Sequence, residues 1–368
     1  MRPEVAIESV LAQAFTVPTD RPEADGTIAW NATTLVLVEI AGGGKSGIGY
    51  TYSNACIVEL IRTKLAETIR GQNVLAPQAA FAAMRRAVRN LGREGLAATA
   101  ISAVDAALHD LKARLLGVPL VSLLGAYRTS VPIYGSGGFT TYSDQELQEQ
   151  LGGWVAEEGC AFVKMKVGSE PARDPHRVTV AKRAIGNATL FVDANGAYGP
   201  KQAIALAGQF ADQGVGWFEE PVSSDDLGGL AIVRQHAPTG MEVAAGEYAY
   251  TTDYVRAMLQ QAAVDVQQAD ATRCGGYTGF LQVAALCDAF HIDVSGHCAP
   301  ALHLHVACAA PRLRHLEWFH DHVRIEHLLF DGAPSPRNGQ IAPDLTRPGN
   351  GLVFKREDAA HYAVSGAS

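Results

Sequence analysis

The sequence has no apolar run of the length that a membrane-spanning helix needs. Its longest apolar stretch, around Ala98–Leu108, is interrupted by Ser102 and Asp105, whereas a span needs ~20 apolar residues. The first residues, MRPE, also lack the apolar core of an export signal. We therefore expect a protein that neither crosses a membrane nor is exported, and we predict a cytoplasmic location.

Basic clusters and paired cysteines are absent as well. The net charge is −8 and no cluster of Lys and Arg stands out, which disfavours nucleic acid as a partner. The six cysteines are scattered without a C-x-x-C pair, as is typical of reduced thiols in the cytoplasm. With 48% hydrophobic and 18% charged residues, the chain has the composition of a folded globular protein.

The first third of the chain has the pattern of strands followed by helices. Ala32–Ile40 is β-branched and apolar, the glycines that follow predict a turn, and Lys45–Tyr52 can return as the partner strand. From Ser53 to about Leu116 the apolar residues recur at helical spacing. We predict an α+β domain over residues 1–128.

After Val131, short apolar strands alternate with helical stretches, which is the signature of repeated βα units. Eight strands are predicted, the number that closes a parallel barrel. They are Val131–Tyr134, Phe162–Val167, Leu190–Asp193, Val215–Glu219, Glu242–Glu247, Val264–Asp270, Ile292–His297 and Arg314–Trp318. We expect the barrel over residues 129–330. We also expect residues 331–368, which lack this rhythm, to pack back on the first domain.

Ionisable residues stand at or near the C-terminal ends of most of these strands. They are Lys164, Lys166, Asp193, Glu219, Glu247, Asp270, His297 and Glu317. Because successive positions lie about one βα unit apart, a parallel barrel brings them to one mouth, where such folds place their active sites. A structural ion-pair network is the alternative, but stability alone gives no reason to place a charge at nearly every strand end.

Three of these residues form a predicted metal site. Asp193, Glu219 and Glu247 lie on three successive strands and offer only oxygen ligands, which suit a hard cation such as Mg²⁺. Zinc would favour nitrogen or sulfur ligands. Glu220 follows Glu219 directly, and only one of the two can face the barrel axis because side chains alternate along a strand.

Two further groups are candidates for proton transfer. Lys164 and Lys166 are two apart on a strand and share a face, so that their mutual repulsion and a nearby dication would lower their pKa values. His297 follows Asp270 by one strand, and an aspartate that accepts from one imidazole nitrogen raises the basicity of the other. We therefore expect acid–base chemistry.

Together these motifs resemble the enolase superfamily and, within it, the mandelate racemase subgroup. The resemblance covers essentially the whole chain, and the ordered set is specific although no single motif is. The motifs are AISAVDAALHDL at 100–111, LLG at 123–125, KMK at 164–166, VDANG at 192–196, FEEP at 218–221, GE at 246–247, Asp270 before Gly275-Gly276, SGH at 295–297, and Glu317. Membership implies an α/β fold: a (β/α)7β TIM-type barrel with an N-terminal α+β capping domain.

The resemblance also implies a cofactor and a substrate class. In that family a substrate carboxylate binds Mg²⁺, which stabilises the enediolate formed when the α-proton leaves. Among the tandem glutamates the resemblance selects Glu219 as the ligand, and we expect Glu220 to be a structural ion-pair partner. It further implies a small-molecule carboxylate as the partner and a homo-oligomer, either a dimer or an octamer.

Roles for the remaining residues follow from the same resemblance. Lys166 would be the base on one face of the substrate, and His297, supported by Asp270, the acid or base on the other. Lys164 would contact the substrate carboxylate and lower the pKa of Lys166. Glu317 would donate or accept a hydrogen bond at the carboxylate or the enediolate.

Substrate choice is expected to depend on two loops of the capping domain, Val17–Asn31 and Gly49–Ala55. Their polar and aromatic residues suit a polyhydroxylated acid, whereas an aryl hydroxy acid would call for an aliphatic lining. The predicted substrate-binding residues are Arg21, Trp30, Tyr50, Tyr52 and Asn54 in the loops, together with Asn195 in the barrel. Asp20 belongs to the same polar set.

A base on each face permits two reactions. If one group removes the α-proton and the other protonates a β-hydroxyl, water leaves and an acid sugar becomes a 2-keto-3-deoxy acid. If both act on the same carbon, the enzyme is a racemase or epimerase. We favour the acid-sugar dehydratase because of the polar loops. A non-catalytic relic of the barrel would be expected to lack at least one ligand or base, and none is missing.

Overall fold

The computed structural model of the protein describes residues 4–364. Its N-terminal domain begins with an antiparallel sheet in the order β1 (Ser9–Ala24), β2 (Ala29–Gly42) and β3 (Lys45–Tyr52). The predicted hairpin of β2 and β3 is confirmed, with Leu35 opposite Tyr52 and Gly42 opposite Lys45.

Strand β1 differs from the sequence-based expectation. The predicted loop Val17–Asn31 is mostly strand, since β1 runs to Ala24 and β2 begins at Ala29. The register against β2 shifts between Pro18 and Glu23, so residues 19–22 leave the hydrogen-bonding ladder. We call residues 19–22 the excursion of β1. Prolines are tolerated here because β1 is an edge strand whose outer N–H groups need no partner.

Helices complete the capping domain. They are α1 (Ile57–Leu60), a π-helical segment (Ile61–Leu65), α2 (Ala66–Ile69), α3 (Pro77–Ala87) and α4 (Leu96–Leu116). Helix α4 lies directly on β3. A Cβ atom at Gly47 would lie 2.3 Å from the amide nitrogen of Leu111, and one at Gly49 would lie 2.3 Å from the carbonyl oxygen of Ala103. The two glycines therefore allow the close approach of helix and strand.

A short helix, α5 (Leu120–Leu124), leads into a closed barrel of eight parallel strands. The strands are β4 (Val131–Gly137), β5 (Phe162–Lys166), β6 (Thr189–Asp193), β7 (Val215–Glu219), β8 (Glu242–Ala245), β9 (Val266–Ala269), β10 (Asp293–Gly296) and β11 (Leu313–Phe319). The ring closes where Leu316 of β11 pairs with Ile133 of β4. The predicted eight strands and the parallel barrel are confirmed.

Each barrel strand is followed by a helix that covers the outside of the ring. The helices are α6 (Asp144–Ala156), α7 (Asp174–Ile185), α8 (Pro200–Ala211), α9 (Leu227–His236), α10 (Thr252–Gln260), α11 (Gly276–Phe290), α12 (Pro300–Ala309) and α13 (His320–Leu329). Inside the ring, an aromatic cluster fills the space below the polar strand ends. Phe191 stacks on Trp217 with ring centroids 4.9 Å apart, and Tyr134 packs edge-on against Phe191.

The C-terminal segment contacts both parts of the molecule. It contains β12 (Phe330–Asp331), β13 (Gln340–Ile341), β14 (Val353–Phe354), α14 (Arg356–Ala359) and a 3-10 turn (Ala360–Tyr362). Strand β13 pairs antiparallel with β4 of the barrel. The Phe354 ring lies 5.1 Å from that of Phe15 in the capping domain, and the amide of Asn350 donates to Asp110 on α4 at 2.7 Å.

Two expectations from the sequence concern membrane-spanning helices and the state of the cysteines. Within 4–364, no helix is both long and apolar enough to cross a bilayer. All six cysteines fall in this range and are free thiols, with Cys56 exposed and the others buried.

Candidate active site

Three buried carboxylates lie together at the mouth of the barrel. Asp193 ends β6, Glu219 ends β7, and Glu247 follows β8. Each offers an oxygen, and these oxygens all lie within 4.8 Å of one another. Parallel register places Asp193 directly beside Glu219. The predicted set is therefore assembled by the fold, and three hard oxygen donors in a small buried volume fit Mg²⁺.

Neighbouring donors orient these carboxylates. The amide nitrogen of Asn195 donates to Oδ1 of Asp193 at 2.9 Å, and the indole of Trp217 donates to Oε2 of Glu219 at 3.0 Å. Burial and the nearby charge of Asp193 raise the pKa of Glu219 to about 8. Burial and the Asp193 carboxylate thus oppose a charge on Glu219, and a divalent cation bound between the two carboxylates would relieve this repulsion.

Two lysines on β5 point into the same cluster. Lys164 Nζ contacts Glu219, lies 2.8 Å from Oε1 of Glu317 and 3.3 Å from Oδ2 of Asp193. Lys166 Nζ lies 2.6 Å from the same Asp193 oxygen. Both side chains are buried, as the shared face of positions 164 and 166 predicts.

Carboxylates beside the two lysines strongly affect their pKa values. Burial opposes the charge on Lys166, but the carboxylates led by Asp193 outweigh both burial and the repulsion from Lys164, and they hold its pKa above the usual value. Burial likewise opposes the charge on Lys164, yet Glu219 and Glu317 keep its pKa well above normal. The lowering expected for these lysines depends on a dication bound by the same carboxylates, so it stays a prediction.

A histidine and an aspartate form a dyad on the far side of the mouth. His297 Nδ1 lies 2.8 Å from Oδ2 of Asp270, whose Oδ1 accepts from the amide of Thr272 at 2.7 Å. His297 Nε2 faces Glu247 at 3.3 Å. Burial opposes a charge on His297, but Cys298, Glu247 and further carboxylates hold its pKa well above the usual value. The imidazole is therefore a proton carrier whose orientation is fixed by Asp270.

The lysine pair and the dyad approach the mouth from different sides of the ring. Lys166 ends β5 and His297 follows β10, and these strands are separated by β6–β9 on one side and by β11 and β4 on the other. Both side chains line one cavity of about 490 Å³. The fold thus places an ammonium group and an imidazole on opposing walls of a single chamber.

Glu317 connects the two walls. Its Oε1 accepts from Lys164 and from the hydroxyl of Ser136 at 2.5 Å, while its Oε2 accepts from the amide of Cys298 at 3.0 Å. Burial opposes its ionisation, but the charges of Lys164 and His297 outweigh burial and lower the pKa of Glu317. It is therefore an ionised carboxylate beside the chamber.

Glu220 does not form the ion pair that was expected of it. It is buried, and its Oε1 has no hydrogen-bond partner among residues 4–364. Its φ of +36° turns the backbone so that the carbonyl accepts from the amide of Gly196 at 2.8 Å. Burial and the nearby carboxylates, chiefly Glu247 and Asp193, raise its pKa well above the usual value. The ion pair is missing because the groups around Glu220 are carboxylates instead of cations.

The roof of the chamber comes from the capping domain. Trp30, Tyr52 and Asn54 line it, as does Asn195 from the barrel, in agreement with the residues predicted for substrate contact. The full lining also contains Asp25, Ile28, Ala32, Thr33, Thr34, Ser53, Lys166, Glu247, Tyr248, Arg273, His297, Cys298, Glu317, Phe319 and His322.

Arg21 and Tyr50 lie away from the chamber. Arg21 stands on the excursion of β1, is exposed, and pairs with Glu146 at 3.2 Å. Tyr50 lies two residues before Tyr52 on the same face of β3 and is fully buried. Its hydroxyl donates to Glu326 of α13 at 2.5 Å. Neither side chain lines the chamber, because sequence position does not show how far each one lies from the barrel mouth. Their contact with substrate stays a prediction.

Among the polar chamber residues that were not predicted, Arg273 and His322 are the two with basic side chains. Arg273 Nη1 lies 3.4 Å from Glu247 Oε1, and its Nε lies 3.5 Å from Asp270 Oδ2. Arg273 lies in the sequence between Asp270 and Gly275-Gly276, and this position could have indicated a site residue. His322 lies on α13, beyond the last predicted strand, where no motif points to it.

The geometry of His322 fixes its protonation. Its Nδ1 accepts from the amide of Ala299 at 3.2 Å, and its ring stacks on Tyr52 with centroids 3.4 Å apart. Burial lowers its pKa to about 3, so the ring is neutral and its single proton is on Nε2. His322 is thus a neutral hydrogen-bond donor in the chamber wall.

A capped parallel barrel with three carboxylate ligands, a lysine pair and a His–Asp dyad at its mouth defines a metal-dependent enzyme of the enolase superfamily. Comparison with known families agrees. The model described as "Mandelate racemase / muconate lactonizing enzyme, N-terminal domain" matches residues 11–125, and "Enolase C-terminal domain-like" matches residues 146–359. The chain belongs to the mandelate racemase/muconate lactonizing enzyme family.

Characterised relatives include both isomerases and lyases. The chain is 31% identical to 3,6-anhydro-alpha-L-galactonate cycloisomerase of Streptomyces coelicolor, over 97% of this chain and 99% of that protein. It is 32% identical to L-talarate/galactarate dehydratase of Salmonella typhimurium, over 81% of this chain and 77% of that protein. Enzymatic function is therefore established at the level of the superfamily.

Solved structures of similar proteins include several with bound magnesium. A mandelate racemase/muconate lactonizing enzyme-like protein from Rubrobacter xylanophilus is 51% identical, with a TM-score of 0.96 over 98% of this chain and 100% of that one. A racemase from Streptomyces coelicolor A3(2) with bound magnesium is 29% identical, with a TM-score of 0.92 over 97% and 100% of the two chains. Magnesium is present in several such neighbours, which confirms the predicted cofactor for the family.

Proposed function

We propose that the protein is an acid-sugar dehydratase. It removes the proton next to the carboxylate of a polyhydroxylated acid and expels the β-hydroxyl as water, which yields a 2-keto-3-deoxy acid. The observation that supports this proposal is that one chamber holds Lys166 and the His297–Asp270 dyad on opposing walls, beside three carboxylates suited to Mg²⁺.

Asp193, Glu219 and Glu247 would hold the magnesium ion. When bound, Mg²⁺ supplies positive charge that stabilises the enediolate, which would otherwise form far too rarely from a weakly acidic α-proton. Lys164, fixed between Glu219 and Glu317, adds a second positive charge close to the carboxylate of the substrate. Glu317 orients Lys164 and accepts from a hydroxyl of the substrate.

Lys166 and His297 carry the two proton transfers. Lys166 Nζ takes the α-proton as the C–H bond breaks, which leaves the electron pair in the enediolate. His297 Nε2 then gives its proton to the β-hydroxyl, the C–O bond breaks, and water leaves. Asp270 keeps the other imidazole nitrogen protonated, so that Nε2 is the atom that exchanges its proton. The enol product tautomerises to the keto acid.

The chamber roof favours a hydroxylated substrate. Hydroxyl, amide and imidazole groups of Thr33, Ser53, Asn54 and His322 line it beside the guanidinium of Arg273. Such groups need hydrogen-bond partners when a ligand displaces water, and sugar hydroxyls supply them. An aryl acid would leave the NH₂ group of Asn54 and the Nε2 proton of His322 without acceptors, since within residues 4–364 only their other polar atoms are engaged by the protein.

Cycloisomerisation is a second candidate, favoured by the full-length match to a cycloisomerase. If the leaving oxygen belongs to a ring of the substrate, the same two proton transfers open the ring and nothing is lost, so that the product is an isomer. Racemisation, in which both groups act at one carbon, needs no leaving oxygen at all. The three outcomes differ in product, not in the first step.

A substrate screen tests the proposal. Purified protein with Mg²⁺ is incubated with aldonic and aldaric acids, their lactones and their anhydro forms, and keto acids are detected with semicarbazide. Dehydration predicts a keto acid from an open-chain acid. A keto acid from cyclic substrates alone would favour the cycloisomerase, and an epimer without any keto acid would favour the racemase. Intact Mg²⁺ binding without turnover or α-deuterium exchange would overturn the catalytic proposal.

The predicted homo-oligomer and the cytoplasmic location stay predictions. Size-exclusion chromatography with light scattering separates a monomer from the predicted dimer or octamer.

A further inference from the structure

A second cluster of metal-type ligands lies where the capping domain meets the barrel. Asp20 and Glu23 of β1 and His320 at the start of α13 each offer one donor atom, and these atoms lie within 4.8 Å of one another. The cluster shares no residue with the three-carboxylate set at the barrel mouth. Among the residues described, it joins the outer strand of the capping sheet to the helix that follows the last barrel strand.

The excursion in β1 creates this arrangement. The register against β2 is lost between Pro18 and Glu23, which lifts Asp20 out of the ladder and toward α13. His320 follows Phe319, the last residue of β11, so its position is set by the end of a barrel strand. His320 Nε2 lies 3.1 Å and 3.2 Å from the two carboxylate oxygens of Asp20.

Glu23 provides an independent sign that a ligand is required. Its side chain is buried, with 1% of its surface exposed. Oε2 accepts from the indole of Trp30 at 2.7 Å, whereas Oε1 has no hydrogen-bond partner within residues 4–364. An enclosed oxygen without a partner is costly whether the carboxyl group is ionised or protonated, because a protonated oxygen would in turn need an acceptor.

The charges around Glu23 also favour a cation. Two further carboxylates, those of Asp321 and Asp20, lie near Glu23. Arg324, a cation nearby, is engaged by Asp321 at 2.6 Å and by the carbonyl of Pro18 at 2.6 Å. Among residues 4–364 the basic side chains of this region thus pair with Asp20 and Asp321, and none pairs with Glu23.

We propose that Asp20, Glu23 and His320 bind a second divalent metal ion, distinct from the Mg²⁺ of the active site. Two carboxylates and one imidazole are a mixed oxygen and nitrogen set, which suits Zn²⁺ better than Mg²⁺. Three protein ligands leave a coordination position for water. Asp20 and His320 are partly exposed, with 42% and 26% of their side-chain surfaces accessible, and so provide a route for the ion from solvent.

The ion connects β1 of the capping domain to α13 of the barrel, next to the chamber. Trp30, which hydrogen-bonds to Glu23, lines the chamber roof. A metal held by β1 on one side and α13 on the other stabilises this boundary, because it binds the assembled structure and not the separated elements. Zn²⁺ is thus expected to raise the thermal midpoint of the protein.

Titration with Zn²⁺ tests the site in full-length protein that carries Asp193→Asn, a change that weakens the magnesium site. We expect one Zn²⁺ per chain in this background. Adding Glu23→Gln or His320→Asn should weaken that binding by at least about tenfold. Glu23→Gln keeps the size of the side chain, and circular dichroism checks that each variant is folded.

A matched control is the exposed pair of His176 and Asp144, whose Nε2 and Oδ2 atoms lie 2.7 Å apart in the absence of a buried glutamate. His176→Asn should leave Zn²⁺ binding unchanged. The proposal is overturned if the Asp193→Asn protein binds no Zn²⁺, or if folded Glu23→Gln and His320→Asn proteins bind it as the parent does. Equal weakening by His176→Asn would also overturn it, because surface histidines would then account for the binding.

Discussion

Asp270→Asn tests the contribution of the Asp270 carboxylate to the proposed proton transfer. In the structure Asp270 Oδ2 accepts from His297 Nδ1 at 2.8 Å, and Oδ1 accepts from the amide of Thr272 at 2.7 Å. An asparagine has the same shape but only one acceptor oxygen, so it can accept from His297 or from Thr272 while its NH₂ group faces the other donor. The change therefore removes the negative charge that favours the imidazolium form of His297, together with one hydrogen bond.

The magnitude follows from the strength of a charged hydrogen bond. Such a bond is worth about 1.5–3 kcal/mol, which corresponds to a roughly ten- to hundredfold loss in the rate of elimination. The pKa of His297 is raised in the folded protein, so its acid form is present at low pH and is lost as pH rises through that pKa. Loss of the Asp270 charge lowers the pKa and moves the alkaline limb of the rate profile to lower pH.

The assay compares two rates in D₂O for the parent and the variant. Keto-acid formation reports on His297, whereas α-deuterium incorporation reports on Lys166, which Asp270 does not contact. We expect elimination to fall much more than exchange, and the alkaline limb of elimination to shift. An unchanged limb with full turnover would refute the dyad, as would an equal loss of both rates while Mg²⁺ binding is intact.

Four further predictions concern other parts of the structure. Lys166→Ala should lower α-exchange by at least about a hundredfold while Mg²⁺ still binds, as measured by calorimetry; exchange at the parent rate would contradict the proposed base. Glu247→Gln should weaken Mg²⁺ binding by about tenfold or more, and unchanged affinity in the same titration would remove Glu247 from the ligand set. His322→Phe keeps the stack on Tyr52 but loses both the Nε2 donor and the Nδ1 acceptor of the Ala299 amide. In variant protein that circular dichroism shows to be folded, KM should rise more than kcat falls; an unchanged KM would argue against contact with substrate. Burial raises the pKa of Glu326 from 4.5 to about 8, so the native state keeps a proton that the unfolded chain loses, and stability falls as pH rises through that window. Glu326→Gln should flatten this fall in urea unfolding at pH 5 and pH 8, and an identical pH dependence in parent and variant would contradict it.

The barrel was predictable because its strands carry a strong local signal. Strands buried on both faces appear as short apolar runs, and most of these runs here have an ionisable residue at or near the C-terminal end. Val215–Glu219 has the predicted bounds, and the others differ by a few residues at their ends. Asp193, Glu219 and His297 could be assigned to one mouth because parallel strands all point their C-terminal ends the same way.

Strand β1 and the chamber roof were harder to predict for physical reasons. Residues Ser9–Ala24 contain two prolines and no clean alternation, which an edge strand tolerates and a pattern search does not recognise. Tyr50 and Tyr52 have the same local signal, yet only Tyr52 reaches the chamber. His322 is brought there by α13, which packs on strands β4 and β11 of the barrel and accepts hydrogen bonds from Thr33 and Tyr50 of the capping domain.

Whether the pKa of Lys164 or Lys166 is raised or lowered also depends on tertiary structure. The spacing of Lys164 and Lys166 shows that they share a face, and repulsion between them is real. Their balance with Asp193, Glu219 and Glu317 depends on distances that only the closed barrel sets. Glu220 shows the same limit, because its neighbours are carboxylates from other strands.

The most direct test of the two-walled site is the fate of the α-proton in Lys166→Ala and His297→Asn proteins. Each is loaded with Mg²⁺ and an acid sugar in D₂O, and the products are followed by proton NMR. We expect His297→Asn to exchange the α-proton for deuterium without forming keto acid, and Lys166→Ala to do neither. Keto-acid formation at the parent rate by His297→Asn, or α-exchange by Lys166→Ala, would contradict it.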